Sequence, residues 1–161
     1  MLDGKVAIVT GAGRGVGRGE AIALADHGAK VVVNDLGGSV TGEGHDKTAA
    51  DEVVDVIRRR GGEAVANYES VADFDGAGRI IGCALDAFGR LDVLVNNAGI
   101  LRDKMIFTMT EQEFDSVISV HLKGTWNTMH HASVYWREQS KAGNQPRAAI
   151  VNTVSSAGLQ G

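Results

Sequence analysis

Short apolar runs alternate with amphipathic stretches along the chain, and this alternation predicts the fold. The continuous apolar runs, which predict strands buried on both faces, lie at residues 6–9, 31–33 and 93–95. Two further short strands are predicted at residues 64–67 and 148–151. Between the strands, apolar residues recur at helical spacing, which predicts helices at residues 16–27, 47–60, 73–88 and 111–138.

Strands that alternate with helices of this length form βαβ units. In such units the strands run parallel, and the helices cover both faces of the sheet. We therefore predict an α/β fold with a doubly wound parallel sheet in three α/β/α layers. No linker or repeat divides the chain, and a length of 161 residues suits one core, so residues 1–161 are predicted to form one domain.

Composition narrows the expected partners. A net charge of −4 gives no electrostatic attraction to nucleic acid or to an anionic membrane. No apolar run approaches the roughly 18 residues that span a bilayer, and no leader is visible before the first strand. Cys83, the only cysteine, fits a reducing compartment. We expect a cytoplasmic protein without nucleic-acid or membrane partners, and the sequence shows no set of side chains with metal-ligand spacing.

A glycine-rich loop, T-G-A-G-R-G-V-G at residues 10–17, joins the first predicted strand to the first predicted helix. A dinucleotide pyrophosphate needs a tight turn there, with bare backbone amides at the helix N-terminus. An ordinary strand-to-helix turn is the alternative, but the position between a strand and a helix favours cofactor binding. The predicted contacts are Gly11, Gly13, Arg14, Gly15, Val16 and Gly17.

An acidic residue ends the second predicted strand. Asp35 lies close to the position, about 20 residues past the glycines, where a carboxylate meets the adenosine ribose. A carboxylate accepts hydrogen bonds from the ribose hydroxyls and repels a 2′-phosphate, which predicts NAD rather than NADP as the cofactor. Two alternatives stay open: Asp35 could be a solvated loop aspartate, and Arg14 could meet a 2′-phosphate.

The fourth predicted strand is followed by Asn96-Asn97-Ala98-Gly99. Together with the glycine loop, this segment resembles the short-chain dehydrogenase/reductase family, which carries T-G-x-x-x-G-x-G after its first strand and N-N-A-G after its fourth. The resemblance covers the whole chain. It implies a Rossmann-type sheet that lacks its C-terminal strands, a cofactor lying against Asn97, Ala98 and Gly99, and an enzyme that interconverts a secondary alcohol and a ketone.

A finer resemblance points to one branch of this family, the (3R)-hydroxyacyl-CoA dehydrogenases, which includes the dehydrogenase unit of peroxisomal multifunctional enzymes. It rests on residues 32–38, 49–51 and 97–103. It implies lipid metabolism, with a 3-hydroxyacyl-CoA or a related acyl or steroid compound as the small-molecule substrate. It also implies that Ser70 and Val71 are neighbours of the adenine.

The family performs proton transfer with a serine, a tyrosine and a lysine four residues after the tyrosine. Ser155, three residues before Gly158, matches the serine. Neither Tyr68 nor Tyr135 is followed four residues later by lysine. The resemblance therefore implies that the tyrosine and lysine follow Gly161 in a longer natural chain, and that the chain as given binds NAD without turnover.

The long predicted helix carries two further expectations. His121 occupies the position where the family often has an asparagine, so the resemblance makes it a candidate catalytic residue, with an ordinary helix histidine as the alternative. The same helix commonly packs against its copy in a second subunit, which implies a homodimer or a homotetramer.

Three functions stay open from the sequence. The first is an NAD-dependent dehydrogenase that acts on a 3-hydroxyacyl-CoA or a similar alcohol. The second is a non-catalytic NAD-binding module. The third is a 3-oxoacyl-acyl-carrier-protein reductase or a hydroxysteroid dehydrogenase of the same fold.

Overall fold

The computed structural model describes residues 1–37 and 48–156. Within them the strands are β1 (Val6–Thr10), β2 (Lys30–Asn34), β3 (Ala64–Asn67), β4 (Val93–Asn96) and β5 (Ala149–Asn152). The helices are α1 (Gly15–Asp26), α2 (Thr48–Arg59), α3 (Phe74–Phe88), α4 (Glu111–Ile118) and α5 (Gly124–Lys141). The strands form one parallel sheet in the order β3-β2-β1-β4-β5.

The predicted three-layer α/β architecture is confirmed, and the packing of β2 shows why its apolar run is continuous. Val31 and Val33 pack into a core with α1 and α2, whereas Val32 enters a second core with α3 and α5 on the opposite face. All three side chains are fully buried. A strand covered on both faces has no solvent side, so it cannot alternate between polar and apolar residues.

The helix predicted over residues 111–138 is helical from Glu111 to Lys141, but it contains a π-helical turn at Ser119–Lys123. The single prediction was therefore incomplete. An apolar pattern with a period of 3.6 residues carries no sign of one wider turn, because the faces before and after that turn still read as amphipathic. The π turn matters for the site because it contains His121.

Three residues on which expectations rest fall outside the described residues: Gly38 in the segment 32–38, Lys47 at the predicted start of the second helix, and Gly158. β5 forms one edge of the sheet, and all four of its residues are exposed. Among the described residues, no helix has the length and apolar character needed to cross a membrane.

A buried carboxylate ties β1 to the start of β4. Asp92 is only 2% exposed, and it accepts hydrogen bonds from Val6 N at 3.0 Å, Lys5 Nζ at 2.9 Å and Arg90 Nη2 at 2.7 Å. Burial alone would raise the pKa of the Asp92 carboxyl. The hydrogen bonds from Arg90, Val6 and Lys5 outweigh burial, so this pKa lies below its usual value.

We expect Asp92→Ala to lower the free energy of unfolding by about 2 kcal/mol at neutral pH, since it leaves the buried Val6 amide without an acceptor. A lowered folded-state pKa means that this contribution is fully present above the ordinary aspartate pKa of about 4 and is lost as the pH falls through the lower folded-state value. Urea denaturation of both proteins at several pH values measures this difference.

The matched control is Asp26→Ala, which removes a surface ion pair with Arg60. Exposed pairs contribute less than about 1 kcal/mol, so this variant should stay close to the wild-type protein. Equal losses in the two variants, or a loss at Asp92 that does not change with pH, would show that the buried network lacks the assigned role.

Candidate functional site

The carboxyl ends of β1, β2 and β4 open onto a cavity of about 280 Å³. The strand order reverses between β1 and β4, and doubly wound sheets bind their ligands at such a switch point. Nine of the predicted cofactor residues line the cavity: Gly11, Arg14, Gly15, Asp35, Ser70, Val71, Asn97, Ala98 and Gly99. The remaining lining residues, which the sequence did not suggest, are Asn34, Leu36, Glu69, Ile100 and Val120.

The glycine loop brings bare backbone to the mouth of this cavity. Gly11 and Gly15 have φ values of +62° and +54°, a left-handed region that strongly favours glycine. A Cβ on Gly11 would lie 2.8 Å from Ala98 Cα, so the loop touches the segment after β4. Helix α1 begins at Gly15, which lines the cavity. The first amides of a helix have no partner within the helix, so the N-terminus of α1 suits an anionic ligand such as a pyrophosphate.

Three of the predicted contacts, Gly13, Val16 and Gly17, do not line the cavity. Gly17 is buried against the backbone of Gly11, where a Cβ would collide with the Gly11 carbonyl and with the Asn97 side chain. Val16 is exposed beside the loop. Gly13 and Gly17 therefore support the shape of the loop and do not form part of the cavity surface.

Asp35 holds the loop from the end of β2. Its Oδ2 accepts a hydrogen bond from Gly13 N, and its Oδ1 accepts one from Gly37 N, both at 2.7 Å. The carboxylate is half-buried and lines the cavity. Each carboxylate oxygen can accept more than one hydrogen bond, so Asp35 can still accept from a ligand hydroxyl while it positions the backbone of the loop.

Asn97 and Thr10 couple the two sequence motifs. The Asn97 amide donates from Nδ2 to Thr10 O and to Gly11 O, each at 3.1 Å. In return, Thr10 Oγ1 accepts from Asn97 N at 3.0 Å and from Ala98 N at 3.1 Å. The glycine loop and the Asn-Asn-Ala-Gly segment are therefore one structural unit, although 86 residues separate Gly11 from Asn97.

A buried polar network behind this unit was not predicted from the sequence. Thr128 donates to Asn96 Oδ1 at 2.7 Å, and Asn96 donates from Nδ2 to Asn152 Oδ1 at 2.9 Å. On the same helix, Asn127 donates to Val71 O at 2.8 Å. The available signal was a pair of adjacent polar residues between Trp126 and Met129 on the long helix, since polar side chains that become buried need specific partners.

The two candidate catalytic residues lie near the same end of the sheet. His121 Nε2 is 2.8 Å from Ile100 O and 3.0 Å from Ile100 N, and its ring fills the space that a Cβ on Gly99 would need. Ser155 follows β5, and its segment is joined to β4 by a hydrogen bond from Thr153 N to Asn96 O at 2.9 Å. A catalytic role for Ser155 or His121 stays a prediction.

The family model described as short chain dehydrogenase matches residues 5–161 of the chain. The chain belongs to the short-chain dehydrogenase family. The matched residues include the glycine loop, the residues that line the cavity and the segment after β4.

Three comparisons show how similar the relatives of this short-chain dehydrogenase are. The chain is 52% identical over 157 residues to the peroxisomal hydratase-dehydrogenase-epimerase of Saccharomyces cerevisiae, covering 98% of this chain and 17% of that protein. It is 50% identical over 159 residues to the peroxisomal multifunctional enzyme type 2 of Drosophila melanogaster, covering 99% of this chain and 25% of that protein. The crystal structure of a short chain dehydrogenase from Mycobacterium avium matches with a TM-score of 0.92 and 56% identity, covering 99% of this chain and 57% of that chain.

These relatives confirm the resemblance to the family and to its hydroxyacyl-CoA branch. They also correct one expectation. A cytoplasmic location is wrong, because several of the most similar relatives are peroxisomal enzymes by name. Composition misled here since a peroxisomal address is a short signal read by a receptor and leaves no mark on the charge or hydropathy of the folded domain.

Tyr68 is a poor candidate for the tyrosine base of a short-chain dehydrogenase. Its hydroxyl donates to Asp51 Oδ1 at 2.5 Å, and this hydrogen bond, together with burial, raises the pKa of Tyr68 to about 12. A catalytic phenol needs the opposite shift, toward easier loss of its proton. The structure thus agrees with the sequence, in which Tyr68 is not followed four residues later by a lysine.

A larger groove of about 880 Å³ runs along α3 on another part of the surface. Gly78, Gly82, Asp75 and Asp86 are among the residues that line it. It shares no lining residue with the cavity at the ends of β1, β2 and β4. Within the described residues, no group of three or more histidine, cysteine or carboxylate side chains is placed to hold a metal ion.

Proposed function

We propose that this chain is the NAD-binding part of an oxidoreductase that interconverts a secondary alcohol and a ketone. Dehydrogenases of this family use NAD or NADP. One observation carries the proposal: the N-terminus of α1 and the Asp35 carboxylate border the same cavity. The amides suit a pyrophosphate, and the carboxylate suits an unphosphorylated adenosine ribose, so NAD is the favoured cofactor.

The described residues would bind and orient the reactants. Bound NAD supplies the acceptor for the hydride that leaves the alcohol carbon. Ala98 and Gly99 line the cavity without a bulky side chain, so we place the nicotinamide against the segment after β4. The His121 ring packs against Gly99 and steadies that segment through Ile100. The Ser155 hydroxyl would hold the substrate oxygen by donating a hydrogen bond to it.

We propose a 3-hydroxyacyl-CoA as the substrate. Support comes from the finer resemblance carried by residues 32–38, 49–51 and 97–103, and from the relative named as a hydratase-dehydrogenase-epimerase, which matches 98% of this chain. The chain spans only 17% to 25% of the two peroxisomal relatives, so the activity of the entire protein is part of the proposal. An acyl-carrier-protein thioester and a steroid alcohol are the competing substrates.

We further propose that two copies pair through the long helical segment. Phe114, Ile118, Leu122 and Trp126 follow one another at intervals of four residues, and all four are exposed. An apolar stripe of this kind on a helix is typical of a surface that a partner covers. A homodimer, or a homotetramer built from such dimers, would bury it, and sedimentation of the protein would show the assembly.

The test uses the protein in its full natural length. NADH binding is followed by fluorescence titration, and turnover is followed by NADH formation with a (3R)-3-hydroxyacyl-CoA, the matching acyl-carrier-protein thioester and a steroid alcohol. We expect NADH to bind more tightly than NADPH and the CoA thioester to be the best substrate. Binding without any turnover would support a non-catalytic NAD-binding module, and a folded protein without affinity for NADH would overturn the proposal entirely.

A further inference from the structure

Helix α5 carries two neighbouring polar residues, Asn127 and Thr128, whose side chains are fully buried at 0% exposure. Adjacent residues on a helix point about 100° apart, so the two side chains reach different parts of the protein. A buried polar group is unfavourable unless it forms hydrogen bonds. The partners of Asn127 and Thr128 therefore indicate what each residue does.

Asn127 supports the segment between β3 and α3. Its Nδ2 donates to Val71 O at 2.8 Å. One helical turn earlier, a Cβ on Gly124 would lie 2.8 Å from Val71 Cγ2, so Val71 also packs tightly against the backbone of α5. Val71 and Ser70 line the cavity together with Asp35, and the family resemblance makes both residues neighbours of the adenine.

The other oxygen of this amide adds a second argument. Asn127 Oδ1 is buried, and no donor among the described residues reaches it. An unpaired buried acceptor destabilises the fold, whereas an apolar side chain of the same shape would avoid that penalty. Packing alone therefore does not explain an asparagine at this position, but the loop that its Nδ2 holds does explain it.

Thr128 supports the end of β4, which is followed directly by the cavity residues Asn97, Ala98 and Gly99. Its hydroxyl donates to Asn96 Oδ1 at 2.7 Å, and Asn96 in turn donates to Asn152 Oδ1 at 2.9 Å. Asn96 is the last residue of β4 and directly precedes the segment that the proposed function places beside the nicotinamide. Two consecutive residues of one helix thus contact Val71 in the cavity wall and Asn96, which directly precedes another part of that wall.

We propose that Asn127 is a positioning residue for the adenine-side wall of the cofactor site and that Thr128 is its counterpart for the nicotinamide-side wall. This inference rests on the proposed function, because it takes Val71 to lie beside the adenine and the segment after β4 to lie beside the nicotinamide. It goes beyond the proposed function because it states that two residues outside the cavity lining, Asn127 and Thr128, each support the binding of one half of the cofactor.

The experiment compares Asn127→Leu with Thr128→Val in the full-length protein. Dissociation constants for AMP and for nicotinamide mononucleotide are measured by displacement of NADH. We expect Asn127→Leu to weaken AMP binding about tenfold and to change nicotinamide mononucleotide binding less than about twofold. Thr128→Val should show the reverse pattern. In turnover, Asn127→Leu should raise KM for NAD while kcat stays nearly constant, a split that general destabilisation would not produce.

Gly124→Ala provides a second route if Asn127→Leu does not fold, since its methyl group would push Val71 without creating an unpaired buried group. Gly82→Ala is its control, because a Cβ there meets nothing within 4 Å. Weaker AMP binding in Gly124→Ala alone supports the proposal. Unchanged AMP binding in the folded variants, or equal losses for both nucleotides, overturns it while the proposed function stands. A wild-type protein that does not bind NADH overturns both.

Discussion

Gly17→Ala is expected to weaken NADH binding at least about 100-fold, because this residue has no room for a methyl group. A Cβ would collide with Gly11 O and with the Asn97 side chain, which itself bonds to Thr10 O and Gly11 O. Neither neighbour can move without shifting the glycine loop. Overpacking a buried contact of this kind costs about 1–3 kcal/mol, and misplaced amides would add a further loss of affinity.

Gly19→Ala is the matched control for this prediction. It lies on the same helix, and a Cβ there meets nothing within 4 Å. Both substitutions raise helix propensity by about 1 kcal/mol, so this effect is shared and the collision is isolated. Fluorescence titration with NADH measures affinity, and thermal unfolding shows whether each variant is folded. A folded Gly17→Ala protein with wild-type affinity would contradict the assignment of the loop.

Asp35→Asn should lower the preference for NADH over NADPH about 100-fold. The native carboxylate lines the cavity and would lie close to a 2′-phosphate. Two unit charges about 6 Å apart, at an effective dielectric constant of about 20, repel each other by roughly 3 kcal/mol, which corresponds to about 100-fold in affinity. Asparagine keeps the size of the side chain but only one acceptor oxygen, so either Gly13 N or Gly37 N loses its acceptor. The affinities for both nucleotides should therefore fall, and the ratio of the two affinities is the quantity that reports the lost charge.

A second acid on the same cavity offers the control for this change. Glu69 also lines the cavity, but it is paired with Arg79 at 2.9 Å. Since Arg79 offsets its charge, Glu69→Gln should change the ratio of the two affinities by less than about threefold. The ratio is obtained from parallel titrations with NADH and NADPH. Equal effects of both substitutions would show that Asp35 does not select the cofactor.

The architecture was accessible from the chain because the relevant signals are local. The valines of β2 form an uninterrupted apolar run, and such a run predicts a strand covered on both faces. The π turn around His121 was not accessible, since one wider turn leaves the apolar stripe intact. The cellular location of the protein could not be predicted from its composition either, because receptors read short signals and not folded surfaces.

The candidate site was likewise only partly predictable from the sequence. Glycines after one strand and small residues after another mark the two motifs, because a pyrophosphate and a ring both require space beside the backbone. No local pattern indicates that Asn97 bonds to Gly11 O, or that Asp35 holds Gly13 N. Those contacts join residues that are far apart in the chain, and they exist only after the strands have paired.

Periodicity and glycine spacing are properties of neighbouring residues, so the chain by itself determined the doubly wound fold, the glycine loop and the acid at the end of β2. The support of the cavity by Asn127 and Thr128 depends on how α5 crosses the sheet, and helix packing is set by contacts that no short stretch of sequence contains. Buried polar residues on a helix predict that partners exist. Only the packed arrangement shows that those partners are Val71 and Asn96.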